Sequence, residues 1–171
     1  FTPTYPSMFL NIIGPGIGPQ YNAIMVRQTS NLGVYDSWSD TFSPEPGGQN
    51  ENPDGDVFDN LLELAFGLDP NVIDSGALTT SPVKRGSPTT SVSFAPTFEF
   101  TAQFVRRKSY LTDGLTYTVQ FSADLVDWED STDTPVQVID DGDYEIVEVP
   151  YPFFASSGQK ARFFRVVVSL N

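Results

Sequence analysis

From Thr89 to the C-terminus the chain alternates apolar and polar residues with a period of two. Phe98, Phe100, Ala102 and Phe104 are interleaved with Glu99, Thr101, Gln103 and Val105, and Leu115, Tyr117, Val119 and Phe121 with Thr116, Thr118, Gln120 and Ser122. One-faced alternation of this kind predicts half-buried antiparallel strands. Thr112-Asp113-Gly114 is expected to turn one strand into the next, because Asp-Gly tolerates the positive φ of tight hairpins. A second hairpin is predicted where Val136–Ile139 and Tyr144–Val149 flank Asp140-Asp141-Gly142-Asp143. A last strand runs from Arg162 to Leu170, with Phe164, Val166, Val168 and Leu170 on one face. Tyr21 to Thr29, YNAIMVRQT, adds another strand upstream. Tyr35, Trp38 and Phe42 fall on one face of a short helix. The expected fold is therefore mainly β: an antiparallel, immunoglobulin-like β-sandwich with one or two short helices.

The punctuation between these runs suggests the domain organisation. Residues 1–20, FTPTYPSMFLNIIGPGIGPQ, are apolar but broken by proline and glycine, which forbids a long helix. They read either as a segment packed on the body's own core or as an extended arm that adds to a neighbouring subunit. Residues 21–171 are expected to form a single domain. A calcium loop–helix insertion is expected at about 35–76, and SPEPGGQNENP and 71–88 read as turn-rich loops.

Charge narrows the chemistry. The chain carries 22 acidic against 9 basic residues, a formal net charge of -13. Such a surface repels phosphate backbones and anionic headgroups, so nucleic acid is not an expected partner, and it attracts divalent cations. Histidine and cysteine are both absent. That removes the commonest general base, thiolate nucleophiles, disulfides and the usual zinc ligands. No apolar run reaches the ~20 residues needed to span a bilayer. The chain begins at Phe1, which suggests a processed, exported protein, and an extracellular or cell-surface location is expected.

The stretch NPDGDVFDNLLELAFGLDP, beginning at Asn52, carries the most specific chemistry. Numbered as a twelve-residue calcium loop, it places side-chain oxygens of Asn52, Asp54, Asp56, Asn60 and Glu63 at positions one, three, five, nine and twelve. Phe58 at position seven would supply its backbone carbonyl. Calcium takes six to eight hard oxygens, and alternate residues of a tight loop can point them inward. A carboxylate one helical turn later closes the shell. Val57 stands at position six, where glycine is usual, and Gly55 at position four is placed to absorb the turn's strain. The alternative is a solvated turn in which Asp59 caps a helix over Asn60–Phe66. Leu61, Leu62, Leu64, Ala65 and Phe66 make that helix apolar, Gly67 stands at its C′ position, and Pro70 stops it.

This stretch resembles the calcium-binding repeat of dockerins and thrombospondin type 3 repeats. It is more specifically similar to a form found near the C-termini of large secreted proteins of Verrucomicrobia and Planctomycetes. There an aromatic stretch like YDSWSDTF (35–42) precedes the loop, a β-rich segment like LTYTVQFSADLVDW (115–128) follows, and the chain closes with something like ARFFRVVV (161–168). The resemblance spans roughly 35–171. It implies a secreted, calcium-binding β domain with ligands at Asn52, Asp54, Asp56, Asn60 and Glu63.

Other features are weaker. Acid pairs between Asp124 and Glu148 match a glycosidase dyad only in residue type. Trp38, Trp128, Tyr144, Tyr151, Phe153 and Phe154 are either core and rim residues or a sugar-stacking platform. Arg106-Arg107-Lys108 is either a solvated strand end or a patch complementary to the acidic face of another copy. Without histidine, serine and threonine hydroxyls have no activating base, so no enzyme is expected. The expected role is a calcium-stabilised structural protein, a self-assembling homopolymeric subunit of an extracellular filament or surface layer. A carbohydrate-binding or adhesive module that takes glycans is the alternative.

Overall fold

The computed structural model describes residues 27–29, 32–94, 99–152 and 160–171. Residues 1–20, the first part of the YNAIMVRQT run, Phe98, Phe153 and Phe154 lie outside the described residues. The described elements comprise ten strands: β1 (Arg27–Thr29), β2 (Thr79–Thr80), β3 (Val83–Lys84), β4 (Thr89–Ser93), β5 (Glu99–Arg107), β6 (Leu115–Ser122), β7 (Glu129–Asp130), β8 (Val136–Asp141), β9 (Tyr144–Pro150) and β10 (Phe163–Leu170). Helices α1 (Leu32–Ser39) and α2 (Asn60–Phe66) complete the set.

The protein is mainly β. One four-stranded sheet has the order β4-β5-β9-β8, a second has the order β1-β10-β6-β7, and β2-β3 is a separate hairpin. Pairing is antiparallel except for β1, which lies parallel to β10 with Arg27 opposite Val168. Strand β10 follows the expected alternation: Phe164, Val166, Val168 and Leu170 are fully buried and the residues between them are half-buried. Both four-stranded sheets feed one hydrophobic cluster, in which Phe104 of β5 stacks on Tyr117 of β6 with ring centroids 6.0 Å apart. Tyr151 closes the same cluster beside Phe121 and Phe164, at 4.7 and 5.9 Å.

Two expectations from the periodicity are corrected. The segment through Asp113-Gly114 is not a hairpin turn, because β5 and β6 belong to different sheets. β5 pairs with β4 and β9, while β6 pairs with β10 and β7. The chain between them is a stack of turns with Asp113 N–H on Ser109 O (2.9 Å) and Leu115 N–H on Tyr110 O (2.8 Å). Gly114 takes φ +75° where the C-terminus crosses, and a Cβ there would lie 2.8 Å from the Asn171 carbonyl oxygen. The Asp-Gly pair serves a close backbone approach rather than a β-hairpin.

The second correction concerns burial. Four consecutive residues of β5, Ala102–Val105, and four of β9, Tyr144–Val147, are buried, so these central strands are covered on both faces. Helix α2 packs on β5. The sequence still alternates because the second face includes polar residues that find partners. On that face Gln103 donates to Glu148; on the opposite one, beyond Ala102 and Phe104, Arg106 pairs with Glu145 at 2.7 Å with both side chains largely buried. The predicted 140–143 hairpin forms as expected, with Asp141 opposite Tyr144 and Gly142 at φ +69°.

Candidate metal centre

Helix α2 has the ends that its sequence specifies. Asp59 is the N-cap, and its carboxylate accepts the Leu62 N–H at 3.1 Å. Gly67 ends the helix in the left-handed region at φ +69°, with Leu68 N–H returning to Glu63 O at 3.0 Å. All seven residues are buried, and Leu61, Leu64, Ala65 and Phe66 are fully buried in the common core. A buried helix end must place its last carbonyls on donors. Tyr144 Oη donates to Leu64 O (2.9 Å), Tyr117 Oη to Ala65 O (2.7 Å) and Arg85 Nη1 to Gly67 O (3.3 Å). Arg85 also lies over the Tyr144 ring at 4.3 Å and pairs with Asp141 at 2.6 Å. The helix is thereby fixed to both sheets.

The loop before α2 turns on its own side chains. Asn52 Oδ1 accepts Gly55 N–H (2.8 Å) while its Nδ2 donates to Asp56 O (2.7 Å). Asp54 Oδ1 accepts Asp56 N–H (3.1 Å), and Asp56 Oδ1 accepts Phe58 N–H (2.7 Å). Gly55 has φ +78°, and Leu125 is the one non-glycine residue with positive φ among the described residues. The left-handed turn therefore sits at position four of the loop instead of six. Val57 needs no unusual backbone and points partly to solvent. Phe58 buries its ring against Phe66, with centroids 5.7 Å apart.

These turns bring together carboxylate oxygens of Asp54, Asp56 and Glu63, all within 4.8 Å of one another. Glu63 is 1 % exposed, and neither of its oxygens has a hydrogen-bond partner; Asp54 Oδ2 is also buried and unpartnered. At an effective dielectric of about 20, two charges about 4.8 Å apart repel by roughly 3.5 kcal/mol. Burial, reinforced by Asp54, Asp56, Asp74 and Asp69, pushes the Glu63 carboxyl up to about 9. Such a trio requires either a proton or a cation. Oxygens bound to one divalent ion at about 2.3–2.6 Å lie at most about 5 Å apart, so the spacing suits a shared ion.

Of the expected ligand positions, Asp54, Asp56 and Glu63 converge. Asn52 lies at the exposed rim with its amide engaged in the turn. Asn60 is fully buried; its Nδ2 donates to Pro46 O (2.9 Å) and Gly48 O (2.8 Å), and its Oδ1 is unpartnered. The periodicity gives no reason to include the loop after α2. Yet Ser75 N–H donates to Asp56 Oδ2 at 3.0 Å, and Asp74 has a buried, unpartnered Oδ1. Burial and the neighbouring Asp56, Asp69 and Asp54 raise the Asp74 carboxyl above its ordinary range. The available signal is the pair Asp69 and Asp74 just beyond the capped helix, where the chain has to return past the loop.

The remaining candidate features are occupied within the chain. Arg106 pairs with Glu145, Arg107 with Asp113, and Lys108 with Asp140 at 2.5 Å, so the basic cluster is neutralised in cis. Asp124 accepts the N–H groups of Val126 and Asp127 in its own turn, which pulls its carboxyl below the usual range. Tyr144 is buried, Trp38 packs against Phe42 at 4.9 Å, and Arg165 covers Trp128 at 4.3 Å. No helix among the described residues is long and apolar enough to cross a membrane. No protein-family model matches the chain, and neither the curated proteins nor the solved structures contain a significant match to it.

Proposed function

We propose that the protein is an extracellular calcium-binding β-sandwich domain with a structural, non-enzymatic role, in which the ion holds the loop before α2 to the core. The observation that carries this reading is the Glu63 carboxylate, 1 % exposed and unpartnered, within 4.8 Å of Asp54 and Asp56. Calcium is favoured because the donors are hard oxygens on a loop whose spacing matches its large, flexible shell. Magnesium demands a tighter octahedron and retains waters. Ligands come from the same segment that buries Phe58, Leu61 and Phe66, so binding and folding are coupled.

In this role the wider assembly is a homopolymeric filament or surface layer. The apolar, Pro/Gly-broken residues 1–20 are the segment whose sequence suits strand addition to a neighbouring copy. Thermal unfolding with chelator, with calcium and with magnesium tests the calcium reading. Calcium at about 100 times its dissociation constant should stabilise by about 2.7 kcal/mol. Identical melting with calcium and with chelator would overturn it.

A further inference from the structure

The expected ligand order accounts for oxygens from one twelve-residue segment only. The loop that follows α2 returns to the same place. Ser75 N–H donates to Asp56 Oδ2 at 3.0 Å, which sets the backbone of residue 74 beside a carboxylate of the trio. Asp74 Oδ2 is held by Asp69 N–H at 3.2 Å, while its Oδ1 is buried and has no partner. Asp69 Oδ1 in turn accepts Asn71 N–H at 3.0 Å, and Asn71 Nδ2 donates to Pro44 O at 3.0 Å. The loop is thus fixed by its own hydrogen bonds, with one carboxylate oxygen left over. Glu63, 1 % exposed with both oxygens unpartnered, is the independent sign that a ligand belongs at this point.

We propose that Asp74 is a further protein ligand of the ion, so that the shell is closed by two separate segments, the loop leading into α2 and the loop leaving it. This inference rests on the calcium reading above. Asp74 is not one of the three residues whose oxygens lie within 4.8 Å of one another. A donor on the far side of a calcium ion lies up to about 5 Å from its opposite partner, so the 4.8 Å spacing of the trio does not bound where a further ligand can stand. The added charge makes four carboxylates against one divalent ion, which favours calcium over a monovalent cation. It also makes the ion a clasp across α2, joining residues before and after the helix.

The test compares purified wild type with Asp74→Ala, Asp69→Asn and Glu63→Gln by calcium titration calorimetry, together with europium luminescence lifetimes in water and heavy water. Asp74→Ala should weaken calcium about tenfold or more and add one water to the bound europium. Asp69→Asn, which removes a nearby charge but no ligand, should change affinity less and leave the water count unchanged. Unchanged calcium affinity in Asp74→Ala, or a weaker affinity with no added water, overturns the inference while leaving the calcium reading intact if Glu63→Gln abolishes binding. A wild type that binds no calcium overturns both. Melting of each variant in chelator, beside the wild type, shows whether the fold is retained. If Asp74→Ala does not fold, Asp74→Ser makes the same comparison with the same expected outcomes.

Discussion

The buried acid at Glu63 should make the metal-free protein respond to pH in an unusual direction. Its carboxyl is pushed up to about 9 in the folded chain from an ordinary 4.5. A folded-state value above the unfolded one means that the folded state binds the proton more tightly. The stability tied to that proton is complete below pH 4.5 and is lost as pH rises toward 9. Between about pH 5 and pH 8 the loss covers about three units, or about 4 kcal/mol at roughly 1.36 kcal/mol per unit. For a chain of this size that corresponds to a fall of roughly 8–16 °C in melting temperature. The window lies above the range where Asp124 and Asp140, whose carboxyls are pulled below the ordinary value, would contribute the opposite slope. Glu63→Gln removes the titration, and its amide can donate to the unpartnered Asp54 Oδ2. In chelator this variant should therefore melt well above wild type at about pH 8 and close to it at about pH 5. Calcium should flatten the wild-type curve and leave the variant unmoved. Its binding near neutral pH should release about one proton, read by calorimetry in buffers of different ionisation enthalpy. A wild-type melting temperature in chelator that is flat across this pH window, or that Glu63→Gln leaves unchanged, would refute the reasoning.

Two further outcomes bear on the frame around the site. Gly67→Ala forces a left-handed residue and sets a Cβ 2.8 Å from both Arg85 Nη1 and the Tyr144 ring, so a loss of at least about 2 kcal/mol is expected in urea denaturation of the calcium-loaded protein. Deleting residues 1–20 should leave the calcium-dependent melting shift in place while reducing concentration-dependent assembly in analytical ultracentrifugation; an undeleted chain that stays monomeric at high concentration with calcium would remove the homopolymer from the proposal.

Much of this architecture is legible in the sequence where a local rule decides the outcome. Asp59, Gly67 and Pro70 bound α2 because caps and breakers act within a few residues. The alternation in β10 survives because one face alone meets the core. The 140–143 hairpin forms because its two strands are neighbours in one sheet. The sequence is silent where the deciding contact is distant. Gly114 reads as a hairpin turn until Asn171 is placed against it, and β5 reads as half-buried until α2 is packed against it. Arg106-Arg107-Lys108 reads as a solvated strand end or a patch until Glu145, Asp113 and Asp140 are brought opposite.

The same distinction explains the proposed metal site and what an ion would accomplish there. Asp54, Asp56 and Glu63 can be found by spacing because one tight loop and one helical turn fix their relation. Asp74 cannot, because its approach depends on the chain reversing after Gly67 and on Ser75 reaching Asp56. That reversal is secured independently of the ion by Arg85, which binds Gly67 O and Asp141 together. Without a cation, the frame therefore holds several carboxylates together against their repulsion and leaves Glu63 protonated at neutral pH. With one, the repulsion becomes the source of affinity. A preformed cage of this kind costs the folded apo-protein stability and returns it on binding, which is why the calcium dependence should appear in the melting temperature more strongly than in the fold itself.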